Sequence, residues 1–317
     1  MMRTIAIDSG KYMTKAALRK ADGTDKLLEL RTKVDPMNVE GNILLNPKES
    51  HTVSFEGKRY VVGEAAHLTD VRETSKASDT HRVATYTAIA QLVDSGDQVS
   101  VMIGCPLSVY ANRDKMIAYR DFMFTMGKTV TIEVDGATKN FIIRSAQIAP
   151  EGIGMIFQHM EKYGKGICGV VDIGGLNCNC AVYKNGFPVV HAMFTNSFGG
   201  NDLKIAVRRK LQDALETDLM DEILDQDLLQ GFDYADKERT AKLISECKAE
   251  QVSKIVGTCQ EAGWNVHSMP MIFTGGTSLL LKDEIIRQVP SVCGEEITDN
   301  VRYANVLGFL AAMPGGR

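Results

Sequence analysis

The chain has 317 residues, of which 44% are hydrophobic and 24% charged, and a net charge of −4. That length holds two domains of ordinary size, the balance is that of a soluble globular protein, and the slight negative charge argues against broad electrostatic binding to nucleic acid. No apolar run reaches bilayer length, and Met1 leads directly into a strand with no signal-peptide layout, so the expectation is a cytoplasmic protein that engages no membrane.

Seven cysteines, an odd number set in apolar runs, fit reduced core thiols better than disulfides. Cys178 and Cys180 share one face of a strand, and no second Cys/His pair lies nearby at ligand spacing. In chain order, Arg3 to Leu18 reads as a strand, a turn at Asp8-Ser9-Gly10, and a returning strand. Leu27 to Lys33 continues as a strand, Pro36 to Ser50 as an irregular surface segment, and Thr52 to Val62 as a hairpin with Glu56-Gly57 at its tip. Asp79 is the expected N-cap of a helix through Val93. A buried strand from Gln98 to Gly104, a helix from Asn112 to Met126, and a hairpin around Asp135-Gly136 follow. Pro150 then predicts the start of a helix running to Tyr163, because the residue before proline avoids helical dihedrals while proline suits a first turn. Glu151 would lie in that first turn, either as an acid favoured by the helix dipole or as a carboxylate that orients water.

The second half repeats the opening. Ile167 to Val171 is a strand that delivers Asp172, Gly174 and Gly175 form a turn, and Cys178 to Tyr183 returns. Glycines allow a sharp turn that aims backbone N–H groups at an anion, and a carboxylate at the tip can hold hydrated Mg²⁺ against that anion. A hairpin at Gly186 and an amphipathic helix through Leu203, Val207 and Leu211 come next. The acidic run Glu216 to Asp227 reads as a solvated helical face, and a long helix spans Ala235 to Ala262. The strand Met269 to Phe273 opens onto Thr274-Gly275-Gly276-Thr277-Ser278 ahead of a helix from Leu279 to Val289. Asp8-x-Gly10 and Asp172-x-Gly174 therefore hold equivalent places about half a chain apart, which suggests two similar domains whose turns face one polyphosphate.

With Lys15, these three turns resemble, in order and spacing, the phosphate 1, phosphate 2 and adenosine motifs of the actin, sugar-kinase and heat-shock-chaperone ATPase superfamily. Gly104-Cys-Pro-Leu-Ser-Val-Tyr110, Ala149-Pro-Glu-Gly152, Asp172-Ile-Gly-Gly-Leu-Asn177 and Tyr303-Ala-Asn-Val-Leu-Gly308 resemble the ParM-type actin-like proteins that segregate bacterial plasmids. The resemblance implies an α/β actin-like ATPase fold of two RNase H-like domains flanking a nucleotide cleft. The expected boundaries are 1–163 and 164–317, with a last helix at about 299–313 returning to the first domain. It implies Mg-dependent hydrolysis of ATP or GTP to ADP or GDP, coupled to polymerisation into filaments, and a DNA-bound adaptor protein as partner rather than direct contact with nucleic acid.

By position, the resemblance gives Asp8 and Asp172 to Mg²⁺, largely through water, and Glu151 to the attacking water. Backbone N–H groups from Ser9, Gly10, Lys11 and Tyr12 and from Gly174, Gly175, Leu176 and Asn177 would cradle the phosphates, with Lys15 touching them. Gly275, Gly276, Thr277 and Ser278 would line the base and ribose, and Lys248 with Glu250 would approach the base. Two positions depart from the family pattern: Tyr12 stands where a small residue is usual, and Asn177 replaces a Thr. The competing expectation on the same fold is a small-metabolite (sugar) kinase, against which stands the lack of a polar sugar-binding loop.

Overall fold

Residues 1–37, 46–67, 75–216, 237–292 and 294–314 are described by a computed structural model of the chain. The acidic run beyond Glu216 and positions 38–45 of the polar segment lie outside these residues. Two compact units result, Met1–Gln158 with Asn305–Arg317, and His159–Ala304.

The first unit is built on one mixed sheet. Its strands are β1 (Met2–Ser9), β2 (Met13–Arg19), β3 (Asp25–Arg31), β4 (Val34–Pro36), β5 (Ser50–Phe55), β6 (Lys58–Gly63), β7 (Gln98–Cys105), β8 (Thr129–Val134) and β9 (Ala137–Pro150), in the order β3-β2-β1-β7-β9-β8-β5-β6-β4. β7 runs parallel to both β1 and β9. Parallel strands need cover on both faces, and the consecutive burial of Ile5, Ala6 and Ile7 meets that need. Helix α1 (Asp79–Leu92) supplies part of the cover through Val83, Tyr86 and Ile89. The Tyr86 ring lies 4.6 Å from that of Phe55, and its hydroxyl accepts the Thr125 N–H at 2.9 Å. Short α2 (Leu107–Tyr110) leads to α3 (Arg113–Met123), capped by Asn112, whose side chain accepts the Lys115 N–H.

Two local expectations for this unit need correction. Ser78, not Asp79, is the N-cap of α1, since Ser78 has the extended dihedrals a cap requires and Asp79 is already the first helical residue. The single helix expected from Pro150 to Tyr163 does not form. β9 runs on through Pro150, which pairs with Cys105, and the Glu151 N–H still donates to the Cys105 carbonyl at 3.0 Å. Sheet pairing overrides the proline signal. The chain then turns at Gly152 (φ +86°) and yields two short helices, α4 (Gly154–Gln158) and α5 (Met160–Tyr163).

In the second unit, β10 (Ile167–Ile173), β11 (Cys178–Lys184), β12 (Phe187–Asn196) and β13 (Met271–Thr274) form a sheet in the order β12-β11-β10-β13. A three-strand meander with a parallel strand beside its first member is also the pattern β3-β2-β1-β7, so the sequence repeat is a repeat of topology. Helices α6 (Gly200–Leu215) and α7 (Lys237–Glu261) pack on it through Leu203, Val207, Leu211, Val252 and Ile255. The helix expected at Leu279 begins three residues earlier as α8 (Gly276–Leu280) and breaks at Leu281 before α9 (Lys282–Gln288). The final helix, α10 (Ala304–Ala312), lies almost wholly in the first unit, where a Cβ on Gly308 would come 2.1 Å from the Gly154 carbonyl oxygen. Only glycine permits that approach. No helix among the described residues is long and apolar enough to cross a membrane, and Cys105, Cys168, Cys178, Cys180, Cys247 and Cys259 are buried free thiols.

Candidate functional site

In the first unit, Asp8 is the penultimate residue of β1 and sits directly opposite Lys15 of β2, so the two side chains share a sheet face. Strand alternation puts Ser9 on the other face. Its hydroxyl is buried there without a hydrogen-bond partner among the described residues, so Ser9 has its backbone rather than its side chain to offer at the turn. Gly10 is required by crowding, because a Cβ there would lie 2.6 Å from the Met13 carbonyl oxygen. Thr32 braces the turn by donating to the Gly10 carbonyl at 2.6 Å, while its N–H donates to the Tyr12 carbonyl at 3.1 Å. Lys11 and Tyr12 complete the turn, both half-buried. The guanidinium of Arg31 covers the Tyr12 ring at 3.4 Å from its centroid and pairs with Glu64 at 3.1 Å. The bulk that departs from the family pattern is thus packed against β3.

Glu151 lies in the turn after β9, buried, with Oε1 2.5 Å from the ammonium of Lys76. Asn305 of α10 joins this turn to the first one. Its side-chain oxygen accepts the Gly152 N–H at 3.0 Å and its amide donates to Asp8 Oδ2 at 3.1 Å. Asp8, Lys15, Glu151, Lys76 and Asn305 are therefore gathered within one unit. Lys76 and Asn305 escaped the sequence reading of the site. Asn305 was visible only as part of the Tyr303–Gly308 resemblance, and Lys76 carried no signal.

In the second unit, Asp172 near the end of β10 faces Asn179 on one side and Thr274 on the other. Asn179 occupies the place that Lys15 holds in the first unit, so the repeat keeps the acid and not the cation. The Gly174 N–H donates to the Asn177 carbonyl at 2.9 Å. The remaining N–H groups of this turn, from Gly175, Leu176 and Asn177, have no acceptor among the described residues. The Asn177 side chain donates to Asn179 Oδ1 at 3.3 Å. Gly199 and Gly200, which the sequence reading left unassigned, lock the turn. The N–H groups of Gly200 and Asn201 donate to the carbonyls of Gly174 and Gly175, at 2.9 and 2.7 Å.

The third turn packs on the second. Gly275 has φ +86°, and a Cβ there would meet Asp172 Oδ1 and the Ile173 carbonyl oxygen at 2.4 Å each. Gly276 opens α8, Thr277 donates to the Gly174 carbonyl at 2.9 Å, and Ser278 is fully buried with its hydroxyl donating to the Thr274 carbonyl at 2.5 Å. Gln251 on α7 reaches the Gly199 carbonyl at 3.3 Å, which brings the helix bearing Lys248 and Glu250 beside the turn. Burial lowers the pKa of Lys248 below the usual lysine value, against the opposing pull of Asp283 and Glu284.

Among the described residues, no group of three or more His, Cys, Asp and Glu side chains converges to cage a metal. Mg²⁺ needs no such cage, because it keeps several waters and takes only one or two carboxylates beside substrate phosphates. Each unit by itself carries one carboxylate next to a glycine turn, Asp8 in the first and Asp172 in the second.

A meander-plus-parallel-strand sheet present twice, each time with an aspartate near the end of its first strand, defines the actin-like fold. Residues 6–154 match the family model for the N-terminal domain of actin-like proteins. The chain is thus similar to actin-like proteins of the ParM and Alp kind. It is 27% identical to Alp12 in its filament structure, over 97% of each chain, with a TM-score of 0.69. The ADP complex of Ta0583, an archaeal actin homolog, is 17% identical over 96% of this chain and 97% of that one, at TM-score 0.73. The apo ParM protein of psk41 is 15% identical over 97% and 95%, at TM-score 0.72. The likeness to the last two is one of fold. No curated protein sequence matches the chain.

Proposed function

We propose that the chain is a Mg-dependent ATPase or GTPase that assembles into filaments with copies of itself and acts, through a DNA-bound adaptor, in plasmid segregation. The observation that carries the nucleotide reading is the repeated Asp-turn pair, Asp8 and Asp172, together with the buried Glu151 beside the first of them. The ADP bound by Ta0583 and the filament formed by Alp12 support the two halves of the proposal.

In phosphoryl transfer, positioning and charge neutralisation do most of the catalysis. Bound Mg²⁺ would supply charge neutralisation on the phosphates, held through water by Asp8 and Asp172. Lys15, fixed across the ladder from Asp8, adds a point charge for a phosphate oxygen. The N–H groups of Gly175, Leu176 and Asn177 are further donors for phosphate oxygens. Glu151 orients water toward the γ-phosphorus, a task that calls for a fixed carboxylate more than for a strong base.

Light scattering and phosphate release, measured together with ATP and with GTP in magnesium buffer, test this reading. Scattering should rise with triphosphate and phosphate should follow. Glu151→Ala should bind nucleotide and polymerise, with phosphate release slowed about 100-fold. Phosphate release at the wild-type rate would remove Glu151 from this role. Sugar-dependent ADP production without scattering would replace the whole reading with a kinase.

A further inference from the structure

The Lys76–Glu151 pair is the most deeply buried ion pair among the described residues, with side chains 4% and 5% exposed and 2.5 Å between Nζ and Oε1. Lysine and glutamate are almost never buried to this degree unless paired. The backbone of Lys76 is equally unusual, with φ +57°. Four other described non-glycine residues have positive φ, and each has a local reason. Glu56, Asp135 and Asn185 immediately precede Gly57, Gly136 and Gly186 in hairpin turns, and Glu216 terminates α6. Lys76 is in neither setting. Residues held in the left-handed region persist where their surroundings over-determine them, and they cluster at functional sites. Here the surroundings of Lys76 include the buried carboxylate of Glu151.

The Glu151 backbone is already immobilised by Cys105 on one side and, through Gly152, by Asn305 on the other. Its side chain runs past Gly104, where an added Cβ would lie 3.6 Å from Glu151 Cγ. What the backbone does not set is the rotation of the carboxylate. We infer that Lys76 is a positioning residue for Glu151, holding Oε1 and so fixing the rotation of the carboxylate that meets the attacking water. An ammonium suits this task, because its donors sit on one compact charge that can hold a carboxylate oxygen in place. Both residues belong to the first unit, so the grip is set within that unit. The inference rests on the hydrolytic role given to Glu151 above.

The test compares Lys76→Met, Lys76→Arg, Glu151→Gln and the double variant Lys76→Met/Glu151→Gln, with nucleotide Kd from calorimetry and kcat from phosphate release at saturating triphosphate. Lys76→Met should keep Kd within about twofold and lower kcat about 10- to 100-fold, since a misplaced catalytic group loses up to that factor. The double variant should hydrolyse no more slowly than Glu151→Gln, because the carboxylate that Lys76 places is already gone. Slow Glu151→Gln beside wild-type kcat in Lys76→Met would overturn the inference while leaving the role of Glu151 standing. A double variant slower than Glu151→Gln by the full Lys76→Met factor would also overturn it. Wild-type kcat in Glu151→Gln would overturn the role of Glu151 and the inference together. Should Lys76→Met fail to fold, Lys76→Arg decides, because it keeps the charge but brings a planar fork. Its kcat should fall several-fold at constant Kd, and an unchanged kcat overturns the inference.

Discussion

Replacing Gly275 by alanine isolates what holds Asp172 in place. Gly275 combines φ +86° with ψ 155°, a region open essentially to glycine alone, and a side chain forced there costs about 1–3 kcal/mol. Its Cβ would also stand 2.4 Å from Asp172 Oδ1 and 2.4 Å from the Ile173 carbonyl oxygen. The carboxylate can rotate away. The carbonyl belongs to a strand paired on both sides and cannot, so overpacking adds about 1–3 kcal/mol. The sum, roughly 2–6 kcal/mol, corresponds to a fall in Tm of about 4–24 °C for a unit of this size. Gly263→Ala is the control, because φ is +82° there but nothing lies within 4 Å of the added Cβ. Backbone strain alone, about 1–2 kcal/mol, should lower its Tm by only a few degrees. Differential scanning calorimetry gives both values, and titration with Mg-nucleotide reports whether the displaced Asp172 weakens binding in Gly275→Ala alone. If the two variants melt together and bind alike, close packing against Gly275 does not position Asp172.

Two further outcomes follow from the first unit. Ser9→Ala removes a buried hydroxyl that has no partner among the described residues, so Tm should hold or rise and nucleotide Kd should stay within about twofold; a tenfold weaker Kd would show that the hydroxyl itself meets the ligand. Burial pushes the pKa of Asp97 up, but the Asp94 N–H at 3.0 Å and Arg3 at 2.8 Å outweigh it and leave it below the ordinary carboxylate value. The stabilisation this brings is complete above the unfolded value of about 4 and is lost as pH falls through the lower folded one. Asp97→Asn should therefore lower Tm at neutral pH and flatten its decline below about pH 4, read by thermal melts across pH; parallel curves for the two proteins would refute the assignment.

Much of the fold could be read from sequence because its signals are local. Alternation and glycine turns marked β1 and β2, β10 and β11, and the Glu56-Gly57 and Asp135-Gly136 hairpins, and the recurrence of Asp-x-Gly half a chain apart marked the repeated topology. The misplaced boundaries arose where tertiary pairing outweighed a local signal. Pro150 reads as a helix start, but pairing with β7 carries the strand through it. Within the candidate site, the turns themselves were legible because glycine and aspartate declare a backbone geometry. Lys76 and Asn305 were not, since their roles rest on contacts across 75, 153 and 297 residues that no short pattern encodes. Gly199 appeared in the sequence as an ordinary pre-helical glycine. Only its approach to Leu176 and Asn177, where a Cβ would come within 2.7 Å, explains it.

The Asn305 clamp bears on how the molecule is born. A ribosome releases Asp8 among the first residues, yet the amide that steadies its carboxylate emerges only after the entire second unit has been synthesised. Early domains ordinarily mature during translation. A nascent chain stalled before position 305 therefore lacks the amide that bonds Asp8, and this loop gains its last side-chain contact only in the closing moments of synthesis.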